Sequence, residues 1–192
     1  MITDKLDAGN KISLQAPVPE KHASYIAGLL RDKNIARSFM TVGYSPSDEQ
    51  QAARMQDAET TLSRYAWVIC LGETPVGALS IVGLEIPLGI GEVQVLVDPA
   101  YHNQGIATLA LTRAANYAFA QKHPSISYLR AIVREDNLAS CRVMEKVGFI
   151  AWTASVNLAY LAPIAPGDAP PGDPPVGVIT SYLRNPFVTL GQ

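Results

Sequence analysis

The chain has 192 residues, 48% of them hydrophobic and 17% charged, with a formal net charge of −2 and an isoelectric point near 5.9. This composition fits a single domain over residues 1–192 with a substantial core, and it argues against a nucleic-acid partner, which needs a basic face. No apolar run approaches the ~20 residues of a membrane span, and the opening Met1-Ile2-Thr3-Asp4-Lys5 lacks the apolar stretch of a signal peptide. The expectation is therefore a cytoplasmic protein that meets no membrane.

In chain order, Lys11 to Gln15 alternates polar and apolar residues and predicts an opening strand, stopped by Pro17 and Pro19. Glu20 to Arg31 predicts a helix with Tyr25, Ile26, Leu29 and Leu30 on one face. A second helix is predicted from about Ser47 to Ser63, because Ser45-Pro46-Ser47-Asp48 is a start signal. Its polar body, Glu49 to Thr60, predicts a surface position. Three strands follow, at Tyr65–Leu71, Val76–Leu84 and Glu92–Val97. The turn Gly72-Glu73-Thr74-Pro75 joins the first two, so the three form an antiparallel meander.

A helix from Ile106 to about Gln121 is apolar over most of its circumference, with Thr108, Thr112 and Asn116 as its polar line, and predicts deep packing on the sheet. Ile126–Val133 reads as a strand. Asn137 caps a helix that runs to about Val147, where Gly148 stops it. Phe149–Leu161 and Val176–Leu183 give a closing pair of strands. Between them, residues 163–175 hold six prolines, two glycines and two aspartates and predict an irregular loop. Cys70 and Cys141 fit no Cys-x-x-Cys pattern and read as buried free thiols. His22, His102 and His123 have no metal-ligand spacing, so no metal is expected.

The densest functional signal lies between Glu92 and Thr108. An apolar strand ends at Asp98-Pro99, a polar turn containing Gly105 follows, and a helix begins at Ile106. Such a turn aims unpaired backbone N–H groups at one point, where the helix dipole also favours negative charge. A phosphate, and above all a pyrophosphate, is the ligand this geometry suits. Gly105 is singled out because a side chain there would crowd the phosphates. A dinucleotide-binding fingerprint fits poorly, since that pattern needs a glycine close after the strand within a parallel sheet, and this chain has His102 there after a meander.

His102-Asn103-Gln104-Gly105-Ile106-Ala107 resembles the (Gln/Arg)-x-x-Gly-x-(Gly/Ala) loop of the GNAT N-acetyltransferases, with His102 as a departure. Asn137-Leu-Ala-Ser140-Cys-Arg-Val-Met-Glu145-Lys146-Val-Gly148-Phe149 resembles the family's second signature. The Val97-Asp98-Pro99 and Glu145-Lys146-Val147-Gly148-Phe149 runs are similar to the ribosomal-protein N-acetyltransferase subgroup. The likeness covers roughly residues 10 to 160.

The resemblance implies an α+β fold in α/β/α layers, with a mixed, mostly antiparallel sheet that splays at an acyl-CoA site. It implies acetyl-CoA as co-substrate, without a metal, and direct attack on it by an amine acceptor. That acceptor is a protein N-terminus or a small molecule, and the protein is a monomer or a homodimer. It places His102, Asn103, Gln104, Gly105, Ile106, Ala107 and Thr108 around the pyrophosphate, although Thr108 could equally cap the helix. It places Leu96 and Val97 on the strand edge that pairs with pantetheine, with a backbone N–H near Leu96 polarising the thioester carbonyl.

Asn137 falls beside the pantetheine arm and Ser140 near the thiol, though both also suit plain capping roles. Many relatives carry a tyrosine that protonates the departing thiolate where this chain has Met144, so Ser140, another tyrosine or water must serve. Glu92 is the candidate general base, or else a surface carboxylate at a strand start. Glu145 and Lys146 are expected on the solvent face of their helix. The alternative from a different class is a non-catalytic acyl-CoA-binding module.

Overall fold

The computed structural model describes residues 12–38, 45–60, 64–84, 89–121, 125–152 and 178–186. Among these, seven strands share one sheet: β1 (Ile12–Gln15), β2 (Arg64–Leu71), β3 (Thr74–Val82), β4 (Ile90–Val97), β5 (Tyr128–Arg134), β6 (Ile150–Trp152) and β7 (Val178–Arg184). The helices are α1 (Pro19–Arg31), α2 (Lys33–Ser38), α3 (Asp48–Thr60), α4 (Ile106–Ala120) and α5 (Leu138–Val147). The predicted continuation of a strand from 153 to 161 and the proline-rich loop 163–175 lie outside the described residues.

The strand order is β1-β2-β3-β4-β5-β7-β6. Every neighbouring pair is antiparallel except β4 with β5. A parallel neighbour requires a crossover, and α4 supplies it. β4 and β5 pair only from Ile90 opposite Tyr128 to Glu92 opposite Arg130. Beyond that register β4 runs on to Val97 with β3 as its partner, while β5 runs on to Arg134 with β7. The sheet therefore forks, and each arm keeps a ladder on its outer side only.

The alternation of side chains along the strands divides the core. Ile69, Ile81, Val93 and Leu129 turn to one face and join Ile106, Leu111, Ala114 and Phe119 of α4 with Met144 of α5. Leu96 turns to the other face and packs with Ile26 and Leu29 of α1, Ile35 of α2 and Met55 of α3. The result is a three-layer arrangement with helices on both faces, as the resemblance implied.

Three sequence expectations change in the fold. α2 went unforeseen; Asp32 starts it by accepting from the amides of Asn34 at 2.8 Å and Ile35 at 3.2 Å. α3 is less superficial than its polar body predicts, because Gln51 and Met55, one turn apart, are both buried. Its start is a capping box, with Ser47 Oγ accepting from Gln50 N and Gln50 Oε1 accepting from Ser47 N. Of the two thiols, Cys70 is buried and Cys141 only half-buried.

Candidate active site

The fork opens onto a cleft of about 520 Å³, well within the size of small-molecule sites. One wall is the turn before α4. A short 3-10 turn, Pro99–Tyr101, begins at Asp98, whose Oδ1 accepts from Ala100 N at 2.9 Å. Asn103 and Gly105 both have positive φ, +62° and +78°. Gly105 is the N-cap of α4 and offers no side-chain cap. The first helical hydrogen bond runs from Leu109 N to Gly105 O, so the amides of Ile106, Ala107 and Thr108 point out of the helix end without an intrahelical acceptor.

A Cβ built at Gly105 meets nothing within 4 Å. The backbone's left-handed conformation, not lack of space inside the protein, is what selects glycine here. Thr108 is not the cap, and its carbonyl accepts from Thr112 Oγ1 at 2.9 Å.

The second wall is the free edge of β4. Asp98 N donates to Val76 O on β3 at 2.9 Å, and in an antiparallel ladder every second residue turns its N–H and C=O to the same side. The amides of Leu96 and Gln94 therefore face β3, and those of Val95 and Val97 face the gap. His102 supports this orientation, since its Nε2 lies 2.9 Å from Val97 O. The outward-facing donors of this edge thus flank Leu96 rather than lie on it. β3 can lie so close here because residue 77 is glycine, where an added Cβ would collide with Leu96 O.

The third wall is α5. Asn137 caps it, accepting from Ser140 N at 3.1 Å through Oδ1, which leaves its amide N–H groups as donors on a residue that borders the cleft. Ala139, Ser140, Arg142, Val143 and Lys146 line the cleft, a stripe at helical spacing. Ser140 carries the one side-chain hydroxyl among these α5 residues. Met144 is turned into the core and only 5% exposed, so it cannot serve the cleft. Cys141 Sγ sits 3.9 Å from Arg134 O, and burial pushes the thiol's pKa up, so it is a poor nucleophile.

Of the residues singled out from sequence, Leu96, Val97, His102, Asn103, Gly105, Ile106, Ala107, Thr108, Asn137 and Ser140 all border this cleft. Gln104 is exposed and does not line it. Glu92 is not brought to it either. Its carboxylate is held by Arg130 Nη2 at 2.7 Å, across the last paired register of the fork. Lys146 is exposed, as expected, and its exposed side borders the cleft together with Arg142. The i, i+4 spacing of these two cations, on the stripe that begins at Asn137, was the available signal.

A second cavity of about 160 Å³ lies on the opposite face of the sheet, between it and helices α1 and α3. Leu96 borders both spaces, on the stretch of β4 that the fork leaves without β5. Nearby, Tyr25 of α1 donates its hydroxyl to Asp98 Oδ2 at 3.0 Å. Burial, and then the neighbouring carboxylate, raises the pKa of Tyr25 far above that of a free phenol, which keeps it a donor.

Charge complementarity fits a phosphorylated ligand in the larger cleft: helix-end amides on one side, Arg142 and Lys146 on the other, and an unpaired strand edge between them. Among the described residues, no three His, Cys, Asp or Glu side chains cluster as metal ligands, and no helix is long and apolar enough to cross a membrane.

Residues 11–150 match the family model described as an acetyltransferase (GNAT) domain. A mycothiol acetyltransferase of Salinispora tropica is 41% identical over 69 residues, which is 35% of this chain and 22% of that protein. The chain therefore matches about a fifth of that relative's length. Among solved structures, spermidine N-acetyltransferase from Vibrio cholerae in complex with CoA and spermine superposes with a TM-score of 0.74 at 15% identity, over 91% of this chain and 95% of that one. RimL, a ribosomal-protein α-N-acetyltransferase in complex with coenzyme A, gives a TM-score of 0.72 at 18% identity, over 90% and 93% of the two chains. At these identities the likeness concerns the fold.

Proposed function

Because the chain belongs to the GNAT acetyltransferase domain family, we propose that it transfers an acetyl group from acetyl-CoA to a primary amine, by direct attack with both substrates bound. The observation that carries this reading is the convergence on one cleft of three features: the uncapped amides of α4, the open edge of β4, and the Arg142–Lys146 pair. Acetyl-CoA brings the activated acyl group, and the protein's part is to hold, orient and manage protons.

In this reading the amides of Ile106, Ala107 and Thr108 receive the pyrophosphate, and Arg142 and Lys146 offset its charge. The amides of Val95 and Val97 take the pantetheine arm and the carbonyl oxygen, on which negative charge gathers as the amine attacks. Asn137, through its free amide N–H, steadies the arm. The new bond joins the amine nitrogen to the acyl carbon as the carbon–sulfur bond breaks. In this reading Ser140 gives its hydroxyl proton to the departing sulfur and regains one from the attacking amine, directly or through water. Holding the amine beside the carbonyl at the Leu96 junction supplies much of the rate.

The acceptor class stays broad at this level: a protein N-terminus or a small-molecule amine. A non-catalytic acyl-CoA-binding module is the competing role. Calorimetry with acetyl-CoA, followed by thiol release across a panel of amines, separates them. Tight binding with no thiol release from any amine would leave the binding module. Loss of binding in a folded Arg142→Ala/Lys146→Ala double variant is expected; undiminished affinity would remove the site assignment.

A further inference from the structure

Resting on that reading, we infer that the acceptor is a monoamine whose far end carries a carboxylate, with an apolar spacer between, and that polyamines are poor acceptors. The inference comes from how the second cavity is graded. Two full rows of side chains cross its floor, set by strand register: Val68, Ala78 and Leu96 in the first, Ala66, Ser80 and Gln94 in the second, with Arg64 alone lining it at the third level. The apolar row is the one at the junction with the cofactor cleft. With a rise of about 3.3 Å per residue, the polar row lies about 7 Å from Leu96 and the level of Arg64 about 13 Å.

An amine placed at the Leu96 end therefore has apolar surroundings at first, with Ile26, Leu30 and Met55 overhead. Farther along, the lining turns to hydrogen-bond donors. Ser80 Oγ donates to Gln94 Oε1 at 3.3 Å, which turns the Gln94 amide N–H groups outward. Gln51 is 7% exposed, and its Oε1 has no hydrogen-bond partner among the described residues. Its amide can turn to present either end. Arg54 and Arg64 complete this part of the wall.

No carboxylate among the described residues lines the cavity. Asp57 pairs with Arg64 at 2.5 Å and Glu92 with Arg130 at 2.7 Å, while Arg64 Nε stays buried without a hydrogen-bond partner among the described residues. Among the described lining residues, a second ammonium group at this distance would meet Arg54 and Arg64 and no carboxylate. A carboxylate there would meet guanidinium and amide donors in a partly desolvated space, where such contacts are strongest. The volume of about 160 Å³ is close to that of a cavity known to accept a benzene ring, about 150 Å³, which suits a short hydrocarbon spacer and not a folded peptide.

Amines of matched length test this directly. Thiol release is measured with aminohexanoate, hexylamine, hexanediamine and spermidine, alongside calorimetric acetyl-CoA binding. The expected order in kcat/KM is aminohexanoate, then hexylamine, then the diamine and spermidine, with about tenfold or more between the first and the diamine. Arg54→Glu, on an exposed helix position, should move preference from the carboxylate to the diamine while acetyl-CoA affinity holds. Gln51→Leu should raise KM for aminohexanoate more than for hexylamine. The inference is overturned if the diamine or spermidine is preferred, or if Arg54→Glu leaves the order unchanged. It is also overturned if acetyl-CoA binds normally and none of the four amines reacts. Absence of acetyl-CoA binding would instead bring down the functional reading beneath it.

Discussion

Tyr25 and Asp98 stand 73 positions apart in sequence, yet the Tyr25 hydroxyl donates to Asp98 Oδ2 at 3.0 Å. The other oxygen of the same carboxylate holds Ala100 N at 2.9 Å. One side chain thereby shapes the turn before α4 and ties it to α1 on the other face of the sheet. Removing the hydroxyl leaves the local turn contact but cuts the tether. Tyr25→Phe should cost about 1 kcal/mol in stability and raise the acetyl-CoA Kd about 2- to 10-fold. Calorimetry on the folded variant checks this, and an unaltered Kd would make the tether irrelevant to the cofactor turn.

Gly105 separates conformation from space. At φ +78°, with open surroundings for a Cβ, Gly105→Ala should destabilise by about 1–2 kcal/mol through backbone strain alone. Gly105→Asn should cost less, because asparagine tolerates the left-handed region. Denaturant melts rank the three proteins; equal losses for alanine and asparagine would mean that something other than φ selects glycine.

Ser140 borders the cleft, and no hydrogen bond of its hydroxyl is seen among the described residues. Ser140→Ala should keep acetyl-CoA affinity and lower kcat by about 10²-fold or more. The neighbouring thiol serves as the control: Cys141→Ala should leave kcat near the wild-type value. Equal turnover for wild type and Ser140→Ala on the best acceptor would move the proton-donor role elsewhere.

Glu92 and Arg130 form the ion pair at the fork, with side chains 26% and 32% exposed. A clamp and a general base behave differently when altered. If the pair is a clamp, Glu92→Gln and Arg130→Gln should each lose up to about 1 kcal/mol of stability, and the double variant should lose little more than either. The pH profile of kcat/KM should keep its shape. A fall of about 10²-fold in rate for Glu92→Gln alone, with the pH profile altered, would restore the general-base role.

His22 is 1% exposed, and its Nδ1 accepts from Val18 N at 2.9 Å at the start of α1. Burial first, and then the charge of Lys21, lower its pKa below the ordinary 6.5. The unfolded chain therefore binds a proton that the native state refuses, so stability is lost as pH falls below about 6.5 toward the native value. Denaturant midpoints measured from pH 7.5 to 5 should decline, and the decline should be shallower in His22→Gln. Parallel curves for the two proteins would place the acid sensitivity on other groups.

The sequence by itself determined the local pieces of this protein. The left-handed turn at Gly105, the Asn137 cap and the Gly148 stop each follow from neighbouring residues, because backbone sterics and capping hydrogen bonds act within a few positions. The apolar breadth of α4 likewise announced its burial. Only the tertiary structure decided what each side chain faces. The strand register pinned Glu92 against Arg130 rather than in the cleft, and the rotation of α5 sent Met144 inward while bringing Arg142 and Lys146 to the cleft. Gln51 and Met55, on a helix that reads as polar, became the roof of a second cavity. Contacts of this kind join residues distant in sequence, and register, helix rotation and layer packing fix them only when the whole core closes.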